Sequence, residues 1–202
     1  MKGLYLVTPD WDDTDRLLDV SEQAILGGAT LLQYRHKTAS DALRDEQAAA
    51  LLQLCRRLNV PLIINDHVAL CDKLDADGIH VGGTDASVAE VRARVGADKI
   101  VGASCYGDLQ LARDASAAGA SYVAFGGFYP SRVKKYAVTT PPDIVSRAIS
   151  ELPVPVCVIG GMTVDNSQVL VQRGAHMVAA ISSVYASDDA RAAATAFTNL
   201  FR

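Results

Sequence analysis

Leu31-Leu32-Gln33-Tyr34-Arg35-His36-Lys37 starts as an apolar strand and ends in an amide and cations. A strand alternates faces with a period of two, so Gln33, Arg35 and Lys37 share one face and Leu32, Tyr34 and His36 share the other. Two cations and an amide stacked at a strand's end do not belong in a core. They suit a clamp for an anion at the strand's carboxyl end. The same placement recurs along the chain, where polar and glycine-rich residues follow one short apolar run after another.

There are eight such runs, at 3–8, 30–35, 61–65, 77–81, 99–104, 121–125, 155–159 and 176–181. Helical patterns lie between them at 15–26, 41–58, 68–74, 87–95, 109–118, 142–150, 166–173 and 188–200. Period-two runs alternating with period-3.6 runs imply βαβ units and a parallel sheet. Eight units in 202 residues fit a (β/α)8 TIM barrel near the small end of its range. A doubly wound open sheet would need fewer strands, and the glycine-rich turn that favours dinucleotides is missing after the first run. Gly28-Ala29, Gly119-Ala120 and Gly174-Ala175 each close a helix before a strand, where glycine suits a left-handed terminus. Asp41, Asp108, Thr163 or Asp165, and Asp188 are plausible helix N-caps. No linker or composition shift divides the chain, so a single domain over 1–202 is expected.

Half of the residues are hydrophobic and 21% are charged, an ordinary globular balance. The net charge of −4 supplies no bulk basic field for nucleic acid, so any phosphate must be held by local cations. No apolar run reaches the roughly 18 residues that span a bilayer, and the first residues lack the pattern of a signal peptide. A cytoplasmic setting is therefore expected. Cys55, Cys71, Cys105 and Cys157 are scattered with no C-x-x-C pair, and read as reduced, mostly buried thiols. Nothing in the sequence bears on oligomeric state.

In a barrel the active site forms from the loops at the strands' carboxyl ends. Those ends carry Gln33, Arg35 and Lys37; Asn65 and Asp66; Gly82 to Asp85; Ser104 and Cys105; Gly126 to Lys135; Gly160 to Thr163; and Ile181 to Ser183. Gly160-Gly161 and Ile181-Ser182-Ser183 match the usual barrel phosphate site, where backbone amides point at a phosphate. The plainer alternative is a tight turn. Asp66 and Asp85 would face the mouth from adjacent strands and suit Mg²⁺, which takes one or two protein carboxylates and fills its other positions with water and phosphate. Each could instead cap the helix that follows it, or both could sit in a salt-bridge cluster with Arg35 and Lys37. Lys134 and Lys135 follow Arg132 on a loop that opens Gly126-Gly127, and at least one lysine is expected to turn inward. Cations on one side and amides on the other suggest two separate phosphoryl groups. His80 and His176 read as structural, and His36 and His67 lack a carboxylate at a relay spacing. No nucleophile elbow, metal-binding histidine pair or triad is present in the sequence.

Taken in order, Gln33-Tyr34-Arg35-His36-Lys37, Asn65-Asp66, Gly78 to Asp85, Gly126 to Lys134, Ile159 to Thr163 and Ile181-Ser182 resemble the thiamine-phosphate synthase family over nearly the whole chain. The resemblance implies a (β/α)8 barrel, Mg²⁺, and the coupling of a 4-amino-2-methylpyrimidine methyl diphosphate to a thiazole monophosphate with release of diphosphate. It implies that Gln33 contacts the pyrimidine and that Arg35, Lys37, Asn65, Ser104 and Lys134 surround the diphosphate. It implies Asp66 and Asp85 as Mg²⁺ ligands, and Ser131, Gly161, Ile181 and Ser182 around the thiazole phosphate. The chain departs from the family pattern at Gly83, at Cys105-Tyr106, and at Val133, where a second hydroxyl residue is usual. Rival readings are a thiazole tautomerase-like paralogue, a non-catalytic binder of phosphorylated thiamine precursors, and another phosphate-handling barrel.

Overall fold

The computed structural model describes residues 1–82, 87–130 and 139–202. Eight parallel strands close on themselves in sequence order, β1 Gly3–Val7, β2 Leu31–Tyr34, β3 Leu62–Asn65, β4 Gly78–Val81, β5 Ile100–Tyr106, β6 Tyr122–Phe125, β7 Val156–Ile159 and β8 Met177–Ala180. The helices between and after them are α1 Thr14–Leu26, α2 Asp41–Leu58, α3 Val68–Leu74, α4 Val88–Val95, α5 Leu109–Ala117, α6 Asp143–Glu151, α7 Val164–Gln172, α8 Ser182–Tyr185 and α9 Ala190–Asn199. The expected TIM barrel is the observed fold. No helix among the described residues is long and apolar enough to cross a membrane.

Strand alternation splits the apolar residues into two clusters. Leu4 and Leu6 of β1, with Leu32, Leu62, Ile64 and Val123, face outward under the helices. Tyr5, Val7, Leu31, Ile63, Tyr122 and Met177 fill the barrel interior. Inward side chains thus come from successive strands and make a packed core rather than a pore. Burying a leucine or isoleucine fully contributes about 1.5–3 kcal/mol, so the outer cluster supplies most of the cohesion between helices and sheet.

The sequence-based boundaries shift by a residue or so. Strand β5 runs on to Tyr106, past Ser104, with a register break between these two residues against β6. Asp108 and Thr163 cap α5 and α7 as expected. Helix α2 is capped by Ser40, with Asp41 its first residue, and α9 is capped by Asp189 rather than Asp188. In both cases the side-chain oxygen that reaches the third backbone amide belongs to the neighbour, which has the extended backbone an N-cap requires. The four-residue α8 is too short to leave a periodic signature, and it places Ser182 at the head of a helical turn.

Candidate active site

Asp85, Ser131, Val133 and Lys134 lie outside the described residues. The other expected site residues all belong to the carboxyl ends of strands, the end of the barrel where β1 and β2 also hand over to their loops.

Gln33 points into the barrel, where its amide nitrogen donates to the Tyr5 hydroxyl at 2.7 Å. Just past β1, Thr8 prolongs the β1–β2 ladder through its side chain to Arg35, just past β2. Its hydroxyl accepts from the Arg35 amide and donates to the Arg35 carbonyl, each at 2.8 Å. The β1–α1 loop then takes hold of the three residues that follow. One Asp10 oxygen accepts from Arg35 Nη1 at 3.2 Å and from the Lys37 amide at 2.9 Å. Asp12 stands 3.0 Å from His36 Nε2. His36 therefore does have a carboxylate partner, from a loop 24 residues away that no local spacing could reveal. Arg35 is only 10% exposed at its side chain, so Asp10 neutralises a cation that would otherwise be nearly buried and unpaired. Asp10→Ala is expected to cost about 2 kcal/mol of stability for that reason, read as a lower urea midpoint at an unchanged slope.

Asp66 sits one residue past β3 with left-handed backbone, φ 61°. Its amide donates to the His80 carbonyl at 2.9 Å, which anchors it to β4. Its Oδ2 accepts from Asn65 Nδ2 at 2.6 Å and pairs with the Lys37 ammonium. Asp66 is not the cap of α3. That position belongs to His67, whose side chain makes no capping bond. A non-glycine residue held left-handed costs roughly 1–2 kcal/mol, and here it turns a carboxylate toward the β2 cations instead of along the helix. Arg35, Lys37, Asn65 and Asp66 therefore form one contiguous polar cluster with Asp10, part of which is the salt-bridge network weighed above.

Ser104 on β5 lies 2.8 Å from His80 Nε2, and His80 Nδ1 lies 2.8 Å from the Tyr122 hydroxyl. His80 is a satisfied interior histidine, as expected, and one of its bonds reaches a site residue. Across the mouth, Gly160 and Gly161 both have positive φ, 103° and 66°. A Cβ on Gly161 would fall 2.2 Å from the Pro130 carbonyl oxygen, so the turn after β7 and the loop after β6 meet backbone to backbone. The Gly161 carbonyl accepts from Asn166 Nδ2 at 2.9 Å within the α7 capping box, and Ser183 Oγ donates to the Met162 carbonyl. Thr139 and Thr140 donate their amides to the Gly127 carbonyl, tying the far end of the β6–α6 segment back to its beginning. Ile181 and Ser182 begin α8 beside it.

All four cysteines are buried and none forms a disulfide. Burial pushes Cys105, next to Ser104, up to about 12, and Cys55 likewise, so neither is a ready thiolate. Burial and then Arg44 lower His67 below its ordinary value, leaving it neutral at pH 7. Among the described residues no three His, Cys, Asp or Glu side chains group to hold a metal ion by themselves. Among the described residues, Asp66 brings a hard carboxylate to the mouth with the Asn65 amide beside it. That suits Mg²⁺, which needs few protein ligands, and not Zn²⁺, which wants four or three.

Cations and a carboxylate thus gather at one barrel mouth that the Gly160-Gly161 turn also borders. A family model described as thiamine monophosphate synthase matches residues 4–184. The chain belongs to the thiamine monophosphate synthase family. Thiamine-phosphate synthases of Janthinobacterium sp. (strain Marseille) and Methylobacillus flagellatus are 68% and 47% identical to it over 201 residues, covering 100% of this chain and 97% and 96% of theirs. A solved thiamine phosphate pyrophosphorylase from Pyrococcus furiosus superposes with a TM-score of 0.84 at 27% identity, covering 98% of this chain and 95% of that one. A (S)-3-O-geranylgeranylglyceryl phosphate synthase from Thermoplasma acidophilum, 19% identical with a TM-score of 0.73, shares the fold. Asp10, Asp12, Tyr5 and Tyr122 lie around the expected site residues, and sequence reasoning missed them.

Proposed function

We propose that this chain is a thiamine-phosphate synthase, a transferase that joins 4-amino-2-methyl-5-pyrimidinylmethyl diphosphate to thiazole monophosphate and releases diphosphate. The observation that carries the reading is the mouth itself, in a chain alike over its whole length to named synthases. Arg35, Lys37, Asn65 and Asp66 gather at one side, and the Gly160-Gly161 turn and the start of α8 offer backbone across from them. Two phosphorylated substrates need two such seats. We read residues 1–202 as one catalytic unit and its setting as cytoplasmic, in keeping with four cysteines that form no disulfide.

Gln33 would orient the aminopyrimidine. Arg35, Lys37, Asn65, Ser104 and Lys134 would surround the diphosphate, and Ser131, Gly161, Ile181 and Ser182 would seat the thiazole phosphate. Asp66, with Asp85, would hold Mg²⁺, which when bound supplies positive charge to the leaving diphosphate. The bond between the methylene carbon and the diphosphate oxygen breaks, and its electron pair leaves with the diphosphate. Arg35, Lys37 and Ser104 face the charge that develops on that oxygen, where preorganised donors act most strongly. The thiazole nitrogen then gives its lone pair to the methylene carbon. Its ring is held by its own phosphate, so the attack needs placement and no base. This accounts for a site without a nucleophile or a catalytic triad.

Mixing both substrates with the purified chain and Mg²⁺ is expected to yield thiamine monophosphate, with loss of product when the metal is chelated. A chain that binds the thiazole phosphate yet makes no product would instead be a binder or a tautomerase-like paralogue.

A further inference from the structure

Buried polar side chains cross the barrel interior in one unbroken line, from Gln33 to Tyr5 at 2.7 Å, Tyr5 to Tyr122 at 2.7 Å, Tyr122 to His80 at 2.8 Å and His80 to Ser104 at 2.8 Å. The two ends are site residues on β2 and β5. The three members between them, on β1, β6 and β4, have no role in the coupling as derived above.

The line is held rigidly. Tyr5 and Tyr122 are 1% and 0% exposed. The His80 ring stacks on Tyr122 at 5.6 Å, and Tyr5 meets Tyr122 edge-on at 5.7 Å. Gly102 leaves room for it, since a Cβ there would fall 2.1 Å from Tyr122 Cζ. A polar chain in a barrel core needs every member satisfied, because each unpaired group would cost about 1–3 kcal/mol.

Each phenol carries one hydrogen, so a direction set at one end is passed to the other. Gln33 donates its amide hydrogen to Tyr5. Tyr5 must then donate to Tyr122, and Tyr122 to His80 Nδ1. That nitrogen must be bare, which puts the imidazole hydrogen on Nε2, donated to Ser104 Oγ. The Ser104 hydroxyl hydrogen is then left to point into the mouth. In the reverse direction His80 would consume that hydrogen, and Ser104 would turn lone pairs toward an anion. Burial lifts both phenols above their ordinary range, so both stay protonated at neutral pH.

We propose that Tyr5, Tyr122 and His80 are positioning residues that form a one-way hydrogen-bond line, aiming the Ser104 hydroxyl at the departing diphosphate and leaving the Gln33 carbonyl oxygen to accept from the pyrimidine amino group. No proton is transferred along it. Its benefit is a donor already turned to where negative charge appears, with no reorganisation during bond breaking. The identities of the two ligands rest on the synthase reading, but the direction of the line does not.

The test is the tautomer of His80, read by long-range ¹⁵N–¹H correlation on the labelled chain without substrates. A bare Nδ1 and a protonated Nε2 are expected. A protonated Nδ1, or a doubly protonated ring, would overturn the line whether or not the chain makes thiamine monophosphate. Tyr122→Phe keeps the ring and cuts the line. It is expected to erase the tautomer preference and lower kcat by roughly tenfold, with KM for the thiazole phosphate within about twofold, because that phosphate sits across the mouth. A folded Tyr122→Phe protein with unchanged kcat would equally refute the role.

Discussion

Asp66→Asn is expected to lower turnover by at least about tenfold, a loss of about 1.4 kcal/mol of transition-state stabilisation or more. Asparagine is the informative replacement. It tolerates the left-handed backbone at φ 61° and keeps the side chain's shape, so the turn after β3 survives. What disappears is the negative charge that pairs with Lys37 and that would ligate Mg²⁺. Lys37 loses its anchor in the same stroke. The variant should melt within a few degrees of the parent, and excess Mg²⁺ should recover part of the rate if metal affinity is what was lost. Unchanged kcat at saturating Mg²⁺ would remove Asp66 from the site.

Gly161→Ala should strongly damage the mouth of the barrel. An alanine at φ 66° carries a backbone cost of about 1–2 kcal/mol. Its Cβ would also stand 2.2 Å from the Pro130 carbonyl oxygen, which is backbone and cannot rotate away. Either the turn after β7 or the loop after β6 must move, and both border the proposed seat of the thiazole phosphate. A misplacement near 1 Å can cost about a hundredfold, so kcat/KM for the thiazole phosphate should fall by about that factor. The loss should exceed that for the pyrimidine diphosphate, whose proposed contacts lie across the mouth. Equal effects on both substrates would mean that the turn supports the barrel generally and does not seat one ligand.

The barrel is legible in the chain because short β-rich runs and amphipathic helices alternate without interruption, and each run carries its own local signal. Arg35, Lys37, Asn65 and Asp66 are legible for a related reason, since the carboxyl end of a strand is a position a sequence reader can count to. What escapes is pairing across the closed sheet. Tyr5 and Tyr122 touch over 117 residues of separation, and their bond exists only once β1 and β6 face each other through the interior. Asp10 and Asp12 look like two more acidic loop residues until β1 and β2 pair and bring them onto Arg35 and His36. The left-handed turn at Asp66 gives no warning either, because aspartate enters that conformation without the glycine that would mark it.

One mouth is proposed to hold the departing diphosphate and the thiazole ring together. Rapid-quench single turnover with limiting pyrimidine diphosphate, excess thiazole phosphate and Mg²⁺ separates this from sequential release. Diphosphate and thiamine monophosphate should then appear together, one for one. Diphosphate released ahead of the coupled product, with the pyrimidine recovered as its hydroxymethyl alcohol, would contradict it.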